Sequence, residues 1–258
     1  MNNTFNIKRF GKLVKQQYQL SGKSLALTLF SIFIGYTLIL LIFTFNNSHI
    51  SAIEWLPFFI ILNTGIALPF AAYAFPAFRS KEKTFDYLLL PCSITEKFTF
   101  NVIVRIIAPW IVLPIIFYVS SRLATELALW YYPHTNIEAF SLSTILGQID
   151  HDKLGIALTS IVLTALIHQS VLFAGATVFK KQPLIKTLVV LGIAAGIIIF
   201  YFYTIIEWAE IYKNGRMPWF VVFENKETAV NYLIGLEIVL LITTWAYAFF
   251  KVKEKEIA

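Results

Sequence analysis

Four polar side chains stand inside long apolar stretches of this sequence and are its first candidates for chemistry. They are Asn63, His168, Gln169 and Glu237. If these stretches cross a membrane, such groups are costly to bury and often mark a substrate path or a proton relay. Hydrogen bonds among them that hold helices together explain the pattern slightly better. A catalytic role would need Glu237 and His168 within hydrogen-bond reach around a water-filled cavity.

Motifs for nucleotide, metal and hydrolytic chemistry are missing from the sequence. Ser21-Gly22-Lys23-Ser24 resembles the end of a phosphate-binding loop, but Gln17 stands where that loop needs its first glycine. Asp150-His151-Asp152 with His134 lacks a known ligand spacing and suits a solvated loop better than a cation site. We therefore expect no catalytic residue, no metal and no cofactor in this chain. Any ATP would be bound by another polypeptide.

Composition indicates an integral membrane protein. Hydrophobic residues make up 58% of the 258 residues, charged residues only 14%, and the mean hydropathy is +0.71. A soluble domain carries about a quarter charged residues, so this chain has too little polar surface to cover itself. We predict a single all-α polytopic domain over residues 1–258. The one cysteine, Cys92, excludes an internal disulfide and a cysteine-cluster metal site.

Six apolar stretches reach the roughly 20 residues that a membrane crossing needs. The predicted spans are 25–45, 55–78, 102–119, 154–179, 184–206 and 229–250. Before the first span, residues 1–23 alternate basic and apolar faces, which is typical of a helix lying among lipid headgroups. A solvated basic N-terminus is the alternative. The longest predicted polar connection is 120–153.

The basic residues predict the orientation of the chain. Sixteen of the 21 Lys and Arg residues fall at the N-terminus, between spans two and three, between spans four and five, and in the C-terminal tail. The excess of Lys and Arg marks the cytoplasmic side, so both termini are expected on the inner side of the cell or inner membrane. The net charge of +6 then indicates contact with membrane lipid, and we expect no nucleic-acid partner.

A polar, basic interruption at 79–98 separates spans two and three. Pro91 disfavours helix at the residue before it, so Glu82 to Leu89 could form a short cytoplasmic helix of its own, although a surface loop is the alternative. Ser93 and Glu96 have the spacing of a capping box, which predicts a new helix starting at Ser93.

The run Leu88-Leu89-Leu90-Pro91-Cys92-Ser93-Ile94-Thr95-Glu96 resembles the Leu-Leu-x-Pro-x-Ser-x-x-Glu signature of a known family, the membrane-spanning permease subunits of ATP-binding cassette transporters of the type-2 export class. Those permeases have an interfacial N-terminal helix, six spans with both ends inside, a coupling helix between spans two and three, and polar outer helices between spans five and six. Each part has a counterpart in this sequence.

The resemblance implies a subunit that binds no ATP, dimerises with itself or a related permease, and works with a separate cassette ATPase. It implies ATPase coupling through the segment that contains Glu82, Phe85, Asp86, Leu88, Leu89 and Glu96. It also places spans two and five near the dimer axis, which in this sequence means Asn63, Gly192 and Gly196. The Gly192/Gly196 spacing by itself equally suits packing within one chain. A membrane scaffold and, less favoured, a membrane-embedded enzyme are the rival functions.

Overall fold

The computed structural model describes residues 5–79, 87, 90–148, 151–208 and 226–257. These residues are mostly helical, and six of their helical stretches are long and apolar enough to cross a membrane. The predicted class is confirmed: the chain is an all-α, multi-pass membrane protein.

In chain order, the α-helices of the described residues are α1 (Ile7–Phe45), α2 (Trp55–Ala72), α3 (Ile94–Val102), α4 (Ala108–Tyr131), α5 (Leu142–Gln148), α6 (His151–Val178), α7 (Pro183–Trp208) and α8 (Lys226–Ile257). Two 3-10 turns, Ala52–Glu54 and Pro76–Arg79, flank α2, and a π-helical turn, Ile103–Ile107, joins α3 to α4. Two short strands, β1 (His49–Ile50) and β2 (Asn136–Ile137), pair in parallel.

Helix α1 runs for 39 residues without a break. At 1.5 Å per residue it is about 58 Å long, well beyond a hydrocarbon core of about 30 Å. The predicted boundary between an interfacial helix at 1–23 and a span at 25–45 is therefore not a helix end, because no proline interrupts this stretch. The interfacial position of the first part stays a prediction.

Helix α2 ends earlier than the predicted span 55–78. It stops at Ala72, and Phe75 has a positive φ of 49° before the turn at Pro76–Arg79. Pro76 offers no backbone N–H, and the residue before a proline is disfavoured in a helix. The resulting corner brings Arg79 back beside Tyr73, where its guanidinium lies 4.4 Å from the ring centroid.

The third span extends at both ends beyond the predicted 102–119. Helix α3, the π-helical turn and α4 form one helical stretch, Ile94–Tyr131. The first twelve residues of the predicted connection 120–153 are therefore helical. Pro109 falls just after the π-helical turn and cannot donate to the carbonyl of Arg105, so that carbonyl needs another partner.

Two apolar cores lie at opposite ends of the bundle. One lies beneath β1 and β2 and includes Tyr36, Trp55 and Phe117. The other joins the ends of α2, α6 and α8 and includes Phe75 and Phe173. Helix α7 stays almost uncovered along its most apolar stretch and packs against α6 mainly near their shared turn.

Gly175 on α6 marks a close contact between α6 and α7 near their shared turn. A Cβ added at Gly175 would overlap the side chain of Thr187 on α7, which is itself buried. We predict that Gly175→Val destabilises the protein by about 1–3 kcal/mol through overpacking, measured as a lower thermal unfolding midpoint in detergent. Gly235→Val is the matched control, because a Cβ there meets nothing within 4 Å. Equal midpoints for the two variants would contradict the close α6/α7 contact.

Candidate functional site

The capping box predicted at the start of the third span is confirmed. The Ser93 hydroxyl accepts from the backbone N–H of Glu96 at 3.3 Å, and the Ser93 N–H donates to Glu96 Oε2 at 3.0 Å. This reciprocal pair satisfies two of the N–H groups that a helix start leaves without partners. Helix α3 therefore begins at a fixed residue within the basic interruption 79–98.

The other oxygen of Glu96 connects this helix start to the beginning of the chain. Glu96 Oε1 accepts from the backbone N–H of Asn6 at 2.7 Å and from Arg9 Nη2 at 3.0 Å. Glu96 is 0% exposed. A buried carboxylate is tolerated when charge-assisted hydrogen bonds surround it, and the donors to Glu96 come from two chain segments about 90 residues apart.

Glu96 was predicted as part of the ATPase coupling segment. Because its side chain is buried against Asn6 and Arg9, any effect of Glu96 on coupling would act by positioning α3. The other predicted coupling residues lie outside the described part of the chain: Glu82, Phe85, Asp86, Leu88 and Leu89.

Tyr87 is the one described residue inside the predicted coupling helix, and it is buried. Its hydroxyl accepts from Asn101 Nδ2 at 3.2 Å, and its ring packs edge-on against Phe78 at 5.7 Å. Asn101 Oδ1 accepts from the N–H of Phe75 at 3.2 Å and so supports the positive-φ corner. Asn101 was not singled out from the sequence, although an amide at the apolar start of a span was a usable signal.

Gln169 joins three helical elements. Its Oε1 accepts from Trp110 Nε1 at 2.7 Å, and its Nε2 donates to the carbonyl of Arg105 at 3.1 Å and, more weakly, to that of Ala67 at 3.4 Å. The Arg105 carbonyl is the one that Pro109 leaves without its usual donor. The contacts of Gln169 thus favour a role in packing the helices together.

His168 and Glu237 do not bond to each other in the described contacts. The Thr164 hydroxyl donates to Glu237 Oε1 at 2.9 Å, while His168 Nδ1 lies 2.7 Å from the Thr164 carbonyl. Thr164 therefore stands between the two groups, and His168 faces outward from α6. The direct pair that an intramembrane enzyme would use is not formed, which leaves that function without geometric support.

Asn63 lies on α2 and binds its own helix, with Nδ2 donating to the Phe59 carbonyl at 2.6 Å. It lines an apolar cavity of about 290 Å³ between α2, α4, α5 and α6. Gly192 and Gly196 lie on α7, and a Cβ added at either meets nothing within 4 Å. The structure thus does not bring Asn63 together with the two glycines inside one protomer.

Metal ligands are not clustered in the described residues, where no group of three or more His, Cys, Asp or Glu side chains could hold an ion. Asp150, from the run Asp150-His151-Asp152, lies outside them. No protein-family model, curated protein or solved structure matches the chain. Function is therefore inferred from the residues and their contacts alone.

The Glu96 contacts generate a stability prediction. We expect Glu96→Ala to destabilise the protein by about 3 kcal/mol, because it removes a buried acceptor from Arg9 and from two backbone N–H groups. Hydrogen exchange should show faster exchange at the start of α1. Glu254→Ala is the control, since it removes an exposed pair with Lys251. Unchanged exchange near Asn6 in Glu96→Ala would show that this carboxylate does not hold α1.

Proposed function

We propose that this chain is the permease subunit of an ATP-driven exporter, in which a separate cassette ATPase docks on the segment between spans two and three. The observation that carries the proposal is the set of hydrogen bonds that fixes the end of that segment. Ser93 and Glu96 fix the start of α3, and Glu96 also ties it to α1. A docked protein could therefore move two spans together.

The continuity of the third span supports the same function. Helix α3 continues through the π-helical turn into α4, so a displacement at Ser93 would be carried along the helical stretch Ile94–Tyr131. Gln169 links this stretch to α6 and α2. An ATPase that closes and opens would thus act on several spans through one short contact.

The positions of the two chain ends support an even number of crossings. Asn6 contacts Glu96 at the start of α3, and near the C-terminus Val252 is buried in the core that also holds Phe78 and Tyr87. Both ends of the described chain therefore lie at the same end of the bundle. We infer that this end is cytoplasmic, from the positive-inside rule, and that the protein resides in the cell membrane.

Helix α7 supports a dimer, with a second copy or a related permease as the partner. Its apolar side chains, such as Ile193, Ile197 and Phe200, are more than half exposed. Small residues at Gly192 and Gly196 allow a second helix backbone to approach closely. Lipid tails are as apolar as these side chains, so the association of helices in a membrane is driven by such close packing and not by the hydrophobic effect.

Docking of the ATPase predicts sensitivity at two apolar residues of the coupling segment. We expect Phe85→Asp with Leu88→Asp to abolish co-purification of the ATPase and to leave the permease folded, because the apolar contact is lost. The matched control is Leu127→Asp with Leu142→Asp, which introduces the same charges at exposed leucines of the opposite end. Full recovery of the ATPase with the first variant would remove the coupling assignment.

The proposed dimer predicts cross-linking along α7. Cysteines at Ile193 and Ile197 should form a disulfide between two copies, and Gly192→Leu with Gly196→Leu should reduce that yield about tenfold. Native Cys92 should not compete, because burial raises the pKa of its thiol and the side chain is enclosed.

The control for this experiment is Gly35→Leu with Gly235→Leu, two glycines of α1 and α8 where an added Cβ also meets nothing within 4 Å. Its cross-linking should equal that of the parent. If no cross-link forms in the parent and transport is normal, α7 is not at the dimer axis.

A further inference from the structure

The cavity of about 290 Å³ between α2, α4, α5 and α6 is long in the direction of the spans. Helix α2 lines it along one face, at positions three and four residues apart: Leu56, Phe59, Ile60, Asn63, Thr64 and Ala67. At 1.5 Å per residue these positions cover about 16 Å of the helix. The shape therefore suits an extended chain better than a compact ring.

The polar side chains of the wall are turned to partners within the protein. Asn63 Nδ2 and the Thr64 hydroxyl each donate at 2.6 Å to a carbonyl one turn earlier on α2. Trp110 Nε1 donates to Gln169 Oε1 at 2.7 Å. Asn63 Oδ1 has no hydrogen-bond partner among the described residues, but it is enclosed. No polar atom of the described wall therefore faces the cavity.

A cavity with such a wall does not retain water. A buried water needs two to four polar partners, and this wall presents none. An apolar cavity of roughly 150 Å³ stays dry and can bind benzene. The present cavity has about twice that volume, so it has room for an apolar group larger than one ring.

The inner side of the cavity is closed and held in place. Ala67, Pro109 and Ile145 line it and are buried. The hydrogen bond between Trp110 and Gln169 fixes the indole to α6, so this ring forms part of the wall and does not fill the space. The cavity is thus formed before any ligand enters, as is usual for binding sites of small apolar molecules.

The outer side of the cavity opens between α5 and α6. Ile161 and Val162 on α6 line the cavity and are 41% and 39% exposed, and Leu142 on α5 is 48% exposed. Ile161 and Val162 belong to the apolar helical stretch Thr159–Val178, which is long enough to cross a membrane. Lipid tails therefore surround this opening, and the cavity is continuous with the hydrocarbon of the bilayer.

We propose that this cavity binds one alkyl chain of a membrane lipid, which enters from the bilayer between α5 and α6. The chain gains dispersion contacts with walls that otherwise face empty space. The lipid headgroup stays outside and is not selected, because no polar atom of the described wall faces the cavity. The site uses neither the predicted coupling segment nor the α7 face, so its test is independent of the tests of the proposed function.

Photo-labelling of the full chain in liposomes tests the proposal. The probe is a phosphatidylcholine that carries a diazirine midway along one acyl chain, and the labelled residues are mapped by mass spectrometry. We expect residues 59–67 of α2 to take up about five times more label than residues 193–197 of α7, because an occupied cavity holds the chain against its wall. Transient contact with bulk lipid predicts the reverse, since Ile193 and Ile197 are far more exposed than Ala67.

A blocking variant connects this label to the cavity. Ile161→Trp places a large ring at the opening, so the excess label on α2 should be lost. Ile39→Trp is the matched control, because Ile39 on α1 is 42% exposed and does not line the cavity. Both variants should keep the thermal unfolding midpoint of the parent. If Ile161→Trp lowers it, Leu142→Trp on the other side of the opening decides the result.

A second probe tests the absence of headgroup selection. Phosphatidylglycerol with the same diazirine chain should label α2 to the same extent as phosphatidylcholine. Four results overturn the proposal: label on α2 no greater than on α7, an excess that survives the blocking variant, an equal loss in Ile39→Trp, and labelling by only one of the two headgroups.

Discussion

The buried carboxylate of Glu96 is the interaction on which the rest of the structure depends. It receives hydrogen bonds from Asn6, Arg9 and Ser93, and so links the start of α1 to the start of the third span. Removing a carboxylate from water is costly, and only a full set of donors makes it favourable. Because those donors come from two segments, α1 and α3 hold each other in place, and the segment that leads into Ser93 ends on a fixed support.

Proline and polar residues then set how the spans contact one another. Pro109 leaves the Arg105 carbonyl without a helical donor, Gln169 supplies one from α6, and Trp110 donates to the same amide. In a membrane an unsatisfied backbone group has no water to bind, so such cross-helix bonds are required rather than optional. The same bonds fix the backbone of the third span at Arg105.

The sequence was sufficient for the properties that depend on composition and local spacing. Six apolar helices follow from hydropathy, and the capping box follows from the three-residue spacing of Ser93 to Glu96. The sequence did not predict which distant residues bond to each other, because hydrogen bonds such as Gln169 to Arg105 join residues 64 positions apart. The π-helical turn at Ile103–Ile107 has no clear local signal either. The coupling and dimer assignments stay predictions.

The most direct measurement of the central claim is purification of the native chain from its own membrane, with every co-purifying polypeptide identified and quantified by mass spectrometry. The account predicts a cassette ATPase, with a phosphate-binding loop of its own, in near-equal amount to the permease and cross-linked to residues within 79–98. Recovery of the intact chain without any ATP-binding polypeptide, or with an ATPase cross-linked only at the opposite end of the bundle, would contradict it.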